Sequence, residues 1–137
     1  MDTFDADVLI FAAIRGHPLG RRVLALFQQE TGDPVGSGSV LLLPEVLSKP
    51  RHDGATSELR ALGRLLARLD LRPVDLATAE LATELAARYR LRAVDATHLA
   101  TAVSLGADRF ITNNQRDFPR SIGEVQVTYP ADLPDVQ

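Results

Sequence analysis

The sequence predicts an α/β fold in which a mainly parallel sheet of short strands is flanked by helices. Short segments of strand-forming residues alternate along the chain with longer segments whose apolar residues recur at helical spacing. This alternation is typical of parallel strands that are joined by helices. A chain of 137 residues can enclose one hydrophobic core, and no repeat or linker divides it. We therefore expect a single domain over residues 1–137.

The individual elements can be placed along the chain from the same patterns. The clearest helix begins at Asp95, because Ala96, Leu99, Ala100 and Val103 recur at the spacing of one buried helix face. Asp95 is expected at the N-cap, where a carboxylate accepts hydrogen bonds from free backbone amides. The other predicted helices occupy residues 8–14, 22–30, 56–69 and 77–89, the strands occupy residues 3–5, 36–40, 71–74, 109–112 and 125–127, and residues 50–54 form a loop.

The composition excludes several classes of function. The chain has no cysteine, which rules out disulfides, thiol catalysis and thiolate metal sites. Its net charge of −3 argues against a protein that holds nucleic acid through a generally positive surface. No apolar segment approaches the ~20 residues of a membrane helix, and no signal segment is recognisable at the N-terminus. A cytoplasmic protein without membrane attachment is the expectation.

Acidic and amide side chains lie at corresponding places relative to the predicted strands. The carboxyl ends of parallel strands meet at one edge of a sheet, and ligands bind there. Any one of these acids alone is explained as a cap, a turn residue or a solvated charge. Together they indicate a common site. The residues are Asp5 and Asp7 after the first strand, Glu45 after the second, Asp95 before the fourth, and Asn113, Asn114 and Asp117 after the fourth.

A cluster of carboxylates predicts a metal site and a particular chemistry. Converging carboxylates repel one another unless protons or hard cations neutralise them. Carboxylate oxygens favour Mg²⁺ or Mn²⁺. A cation held in this way suits phosphodiester hydrolysis, because it activates a water and offsets charge on the phosphorus and the leaving oxygen. The loaded site would also attract phosphate to an otherwise acidic cleft.

Four segments of the chain carry these polar side chains. They are DADVLI at residues 5–10, LPEVL at 43–47, DATHLATA at 95–102 and FITNNQRDF at 110–118. The segments resemble the PIN-domain family, and more narrowly the VapC-like ribonuclease toxins of type II toxin–antitoxin systems. They occur in the order typical of that family, and the third and fourth, in this order and spacing, are the more specific ones.

This resemblance implies a PIN-like three-layer fold with a mainly parallel five-stranded sheet between helices. It also implies an endoribonuclease that hydrolyses RNA phosphodiesters with a water activated by one or two Mg²⁺ or Mn²⁺ ions. A homodimer and a cognate antitoxin that covers the active site are the implied protein partners. The RNA target and the cleavage sequence do not follow from the resemblance.

The resemblance also assigns roles to individual residues. Thr112 matches a hydroxyl residue that supports the site in the family. Asn114 stands where many members have an aspartate, and Asp7 where many have asparagine or serine. Arg116 has no counterpart among these roles, but its position inside the fourth segment, near the expected cleft, makes it the candidate for contact with a substrate phosphate. The acidic positions match Asp5, Glu45, Asp95 and Asp117 as catalytic residues, with Asp5, Asp95 and Asp117 as metal ligands and Asp7, Thr112 and Asn114 as supporting residues.

Several alternatives remain open from the sequence. His98 follows Asp95 by three residues and is better explained as a core or carboxylate-bonded histidine than as a ligand. The stripe of Arg60, Arg64 and Arg68 is better explained as a solvated helix face than as a phosphate-binding surface. The chain could be a PIN nuclease of RNA processing without an antitoxin, or a catalytically silent interaction module. A signalling receiver domain is disfavoured, since Lys49, the only lysine, is misplaced for that fold.

Overall fold

A computed structural model describes residues 1–29, 32 and 34–136 of the chain. Its centre is a five-stranded sheet in which every strand pair is parallel. The strand order is β3-β2-β1-β4-β5. The predicted α/β class is therefore confirmed, with strands β1 at Asp2–Phe4, β2 at Gly36–Ser39, β3 at Leu69–Arg72, β4 at Arg109–Ile111 and β5 at Gln126–Thr128.

Six helices among the described residues flank this sheet. A 3₁₀ turn at Pro130–Asp132 follows the last strand. Two separate groups of buried apolar residues show that the helices form layers, since α1 to α4 contribute to one group and α5 and α6 to the other. The helices are α1 at Ala6–Ala13, α2 at Pro18–Gln29, α3 at Leu42–His52, α4 at Thr56–Ala67, α5 at Leu76–Tyr89 and α6 at Ala93–Ser104.

The two cores are built from opposite sides of the sheet strands. Phe4 packs with α1 to α4, and its ring lies 5.2 Å from that of Phe27. Phe110 packs with α5 and α6, and its ring lies 5.1 Å from that of Phe118. Burial of such side chains contributes about 1.5–3 kcal/mol each to folding. Packing on both faces holds the sheet rigidly. Residues at the edge of the sheet therefore keep fixed positions.

The strand order places two loops side by side at the carboxyl edge of the sheet. The chain runs outwards from β1 through β2 to β3, and then returns to the other side of β1 with β4. The amide of Asp5 donates to the carbonyl of Ile111 at 2.9 Å and so continues the β1–β4 pairing beyond the strands. The segments after β1 and β4 therefore begin together, at the kind of switch point where α/β proteins bind ligands.

The predicted loop at residues 50–54 is wrong over its first part. Helix α3 continues to His52 and contains Pro50 in its last turn. Proline there removes one amide donor, while its buried ring joins the helix to its surroundings. Lys49, Arg51 and His52 in the same turn suit the negative end of the helix dipole. The turn itself follows at Gly54, whose φ of +65° favours glycine.

Other boundaries also differ from the predictions. Asp95 is not the N-cap of α6, because the helix begins at Ala93 after Arg92 and Asp95 lies in its first turn. The C-cap of helix α5 is Arg90, which has a left-handed backbone conformation. Because the chain turns at this residue, α6 can start before Asp95. The third strand begins at Leu69 instead of residue 71, and α2 begins at Pro18 instead of residue 22. The predicted end of that helix at residue 30 lies outside the described residues.

Strand β2 has the unusual sequence GSGS because its neighbour lies very close. A Cβ atom added at Gly36 would lie 2.5 Å from the carbonyl oxygen of Asp2 in β1. All four residues of β2 are buried. The segment is thus a strand, as predicted. Within the described part of the chain, no helix combines the length and the apolar character that crossing a membrane requires.

Candidate metal centre

Asp5 anchors the candidate site at the carboxyl edge of the sheet. It directly follows β1, caps helix α1, and is only 5% exposed. Its Oδ1 accepts from the amide of Ala6 at 2.8 Å, and its Oδ2 accepts from the hydroxyl of Thr112 at 2.8 Å. Burial raises the pKa of Asp5 above its usual value, although the nearby His98 opposes that effect. The side chain is therefore fixed by the first residue of α1 and by the residue after β4, at the cost of a desolvated carboxylate.

Asp7 is a second carboxylate of the same helix turn. Its Oδ2 accepts from the backbone amide of Asn113 at 3.0 Å, which ties α1 to the loop after β4. Its Oδ1 is buried and has no hydrogen-bond partner among the described residues. Burial, with added repulsion from Asp5, raises the pKa of Asp7 to about 7. The position thus carries an oxygen whose hydrogen-bonding capacity is unused.

Glu45 and His98 close the site from two further helices. Glu45 lies in the first turn of α3, and His98 lies in the buried middle of α6. The Nε2 of His98 is 2.8 Å from Oε1 of Glu45. One ligand atom from each of Asp5, Glu45 and His98 lies within 4.8 Å of the others. Three residues that are distant in sequence therefore meet in a space that suits a metal ion.

Asp95 faces this cluster from the first turn of α6. Partial burial raises the pKa of Asp95, and the negative charges of Asp5, Glu45 and Asp117 raise it further. That set of neighbours shows that the four predicted catalytic acids lie in one electrostatic environment. Burial alone would lower the pKa of His98, but its hydrogen bond to Glu45 and the surrounding acids raise it overall. The acids of the centre therefore disfavour one another's charged forms.

The loop after β4 is held by its own side chains. The Thr112 hydroxyl accepts from the amide of Asn114 at 3.1 Å while it donates to Asp5. The side-chain nitrogen of Asn114 donates to Oδ2 of Asp117 at 2.9 Å, and its Oδ1 accepts from the Asp117 amide at 3.2 Å. Asn114 thus orients the carboxylate of Asp117. Arg116 lies between them in sequence and is exposed.

The donor set fits a divalent cation. None of the described lysines or arginines forms an ion pair with these acids; their one such partner is His98, with Glu45. Buried carboxylates with raised pKa values are unstable as anions unless a positive charge approaches them. The unpartnered Oδ1 of Asp7 is a further oxygen that a cation or its bound water would satisfy. Carboxylate-rich sites of this kind suit Mg²⁺ or Mn²⁺.

The sequence analysis did not identify the hydrogen-bond partners of His98 and Asn114. The choice of a carboxylate-bonded histidine was correct, but its partner, Glu45, lies 53 positions away and no local pattern identifies it. The spacing of Asn114 and Asp117 at i and i+3 was a usable signal for their hydrogen bonds. The sequence contains no signal for the hydrogen bond from the Asn113 amide to Asp7, because any residue except proline could donate it.

Comparisons with known proteins agree with this architecture. The PIN domain family model matches residues 3–121. A toxin–antitoxin complex from Klebsiella pneumoniae contains a chain with 25% identity and a TM-score of 0.74, covering 95% of this chain and 98% of that chain. A VapBC2 complex from Rickettsia felis, bound to a DNA fragment from its promoter, has 16% identity and a TM-score of 0.72, covering 93% and 97%. A search of curated proteins finds no match. The chain belongs to the PIN-domain family.

Proposed function

We propose that this protein is a metal-dependent endoribonuclease and the toxin of a VapC-like toxin–antitoxin pair. The observation that carries the proposal is the convergence of acids from α1, α3, α6 and the loop after β4, with no lysine or arginine paired to them within the described chain. Similarity to a toxin–antitoxin complex over nearly the whole chain supports the toxin assignment. PIN-family membership supports the nuclease assignment.

The residues at the centre divide into ligands and supports. Asp5, Asp95 and Asp117 are the proposed ligands of one or two Mg²⁺ or Mn²⁺ ions, with Glu45 as a ligand or a group that orients water. A bound cation would activate water and offset the charge that develops on the scissile phosphate. Thr112 fixes the Asp5 carboxylate, and Asn114 fixes that of Asp117. Asp7 ties helix α1 to the loop after β4.

Substrate contact requires positive charge near an acidic site. Arg116 is exposed and lies in the loop that carries Asp117, so it is the proposed contact for an RNA phosphate. The net charge of −3 makes such a local contact necessary, because the whole surface does not attract polyanions. Replacement of Arg116 by alanine should raise KM more than it lowers kcat.

The proposed protein partners are an antitoxin and a second copy of the chain. The structural neighbours are chains of toxin–antitoxin complexes, which supports a protein inhibitor encoded beside this chain. Co-purification with the product of an adjacent short reading frame, followed by loss of cleavage in the complex, would support the inhibitor. Light scattering of the purified protein would show whether a homodimer forms.

The decisive experiment measures RNA cleavage by the purified protein without an antitoxin. A mixed RNA pool is incubated with Mg²⁺ or Mn²⁺ and, in parallel, with a chelator. We expect discrete cleavage that needs the metal and falls at least about 100-fold in Asp95→Asn, since a bound cation contributes several kcal/mol to such reactions. Glu80→Gln, which removes an exposed carboxylate of α5, is the matched control and should cleave normally.

The same experiment separates the alternatives. A folded protein that binds Mn²⁺ but leaves the pool intact would indicate a very narrow RNA target. A folded protein that neither binds Mn²⁺ nor cleaves RNA would contradict the nuclease proposal. That second result would favour an interaction module, for which Asn114 in place of the common aspartate is the specific observation.

A further inference from the structure

The contact between His98 and Glu45 joins two helices across the candidate site. His98 is 2% exposed and lies in a stretch of α6 that is buried from Ala96 to Ala102. The Glu45 side chain retains 34% exposure, and the ring of His98 only 1%. A buried ring on a packed helix cannot follow a mobile partner. The geometry therefore makes His98 the fixed member of the pair.

Glu45 depends on this contact for its position. Among the described residues, His98 supplies the hydrogen bond that the Glu45 carboxylate receives. A glutamate has three rotatable side-chain bonds, and one that is a third exposed would otherwise sample several rotamers. The hydrogen bond instead holds Oε1 within the group formed with Asp5. Removal of the donor would release the carboxylate from the centre.

The other ring nitrogen argues against direct metal ligation by His98. A histidine that binds a metal usually donates its second N–H to a carboxylate, a carbonyl or water, which fixes the ring. The Nδ1 of His98 is buried and has no such partner among the described residues. Its Nε2 is already directed to Glu45 at 2.8 Å. Both nitrogens thus fit a donor to Glu45 better than a metal ligand.

We propose that His98 is a positioning residue that holds the Glu45 carboxylate toward Asp5 in the metal centre. The inference rests on the proposed function, because it assigns Glu45 to that centre. A positioning role for His98 makes a different prediction from direct metal ligation by His98. Any neutral donor that reaches Glu45 should substitute for the histidine, whereas a ligand could not be replaced by an amide nitrogen.

The test compares three substitutions of His98 by Mn²⁺ binding. The amide nitrogen of His98→Gln approximates the position of Nε2, and His98→Leu removes the donor while keeping an apolar core. His98→Asn is polar but too short, and replaces the leucine variant if that protein does not fold. We expect His98→Gln to bind Mn²⁺ within about threefold of wild type. His98→Leu, His98→Asn and Glu45→Gln should bind it about 10-fold to 100-fold more weakly.

Two further readouts decide between positioning and ligation. Combining His98→Leu with Glu45→Gln should weaken binding little beyond either change alone, because both remove one interaction. Pulsed EPR of bound Mn²⁺ should show no directly coordinated nitrogen. A weak-binding His98→Gln, or a nitrogen coupling that His98→Leu abolishes, would overturn the inference while leaving the nuclease proposal intact. Failure of the wild-type protein to bind Mn²⁺ would overturn both.

Discussion

Asp7 shows how one residue can lower the stability of the metal-free protein. Burial and the charge of Asp5 raise its pKa to about 7, from a usual value of 3.8. Between these pH values the folded state binds more protons than the unfolded state at this position. The free energy of unfolding must therefore fall as the pH rises from about 4 to 7. Stability from this group is complete below pH 4 and is lost through pH 7.

Replacement of Asp7 by asparagine should remove that loss. The asparagine oxygen can still accept the hydrogen bond from the Asn113 amide, so the fold is retained. The negative charge of the carboxylate is removed. In the presence of a chelator, we expect Asp7→Asn to be more stable than wild type at pH 8, by on the order of 1–4 kcal/mol. At pH 4 the two should be nearly equal. Urea unfolding at several pH values measures the difference.

The control for this measurement is Glu80→Gln, which removes an exposed carboxylate of α5 that forms no ion pair among the described residues. Glu80→Gln should not reproduce the stabilisation that grows with pH, because this side chain is not desolvated by burial. A stability difference for Asp7→Asn that does not grow with pH would show that Asp7 titrates normally. The pH-dependent part is the informative quantity, since an asparagine alone can alter packing by a constant amount.

At single positions, the sequence predicted which side chains are candidates for the site better than it predicted which atoms those side chains contact. The acids at positions 5, 45, 95 and 117 were identified because acidic residues recur beside strand ends. The hydrogen bond from Thr112 to Asp5 agrees with a supporting role. The burial that shifts the pKa of Asp7 could not be predicted, because it depends on how closely α1 and the loop after β4 pack.

At the scale of elements, helices α1 and α2 pack so closely that a glycine is required between them. A Cβ atom added at Gly20 would lie 2.0 Å from the carbonyl oxygen of Phe11. No residue with a Cβ atom can be accommodated there unless one helix moves. We expect Gly20→Ala to lower the free energy of unfolding by about 2 kcal/mol or more, as in overpacked cores. Chemical denaturation of the variant measures this change.

Gly63 provides the matched control because it is also a helical glycine. A Cβ atom at this position of α4 would meet no atom within 4 Å. Gly63→Ala should therefore raise stability by about 0.5–1 kcal/mol through the better helix propensity of alanine. Opposite signs for the two substitutions would identify packing as the cause. A stable Gly20→Ala protein would mean that the two helices can separate without cost.

The element boundaries show where sequence patterns lose information. The sequence predicts a helix start at residue 22 and a loop from residue 50, yet Pro18 starts α2 and Pro50 remains inside α3. His17, which precedes α2, is only partly exposed. It accepts from the Gly20 amide at 3.0 Å and stacks on Phe11 at 4.3 Å between ring centres. Proline is favoured at the first position of a helix, so Pro18 agrees with local propensity. Pro50, whose ring is buried inside α3, shows where packing overrides it.

At the scale of the molecule, the fold class was more predictable than the element boundaries. Alternating strands and helices allow few arrangements, since parallel connections are short and have one hand. The sheet order then brings β1 and β4 together, and with them the segments that carry Asp5 and Thr112. The convergence of the acids is therefore a property of the whole fold. An unfolded chain has no equivalent, because its carboxylates are far apart.

This difference between the folded and unfolded chain predicts that Mg²⁺ or Mn²⁺ stabilises the protein against heat. A ligand that binds only the folded state adds about 2.7 kcal/mol at a concentration 100 times its Kd. For a chain of this size, that corresponds to a rise in Tm of roughly 10 °C. Calorimetry over a series of Mn²⁺ concentrations should show a Tm that keeps increasing with the logarithm of concentration.

Asp5→Asn should abolish most of the increase in Tm, whereas Glu80→Gln should retain it. An equal rise in all three proteins would mean that the cation binds elsewhere on the acidic surface, and the proposed centre would then lose its main support.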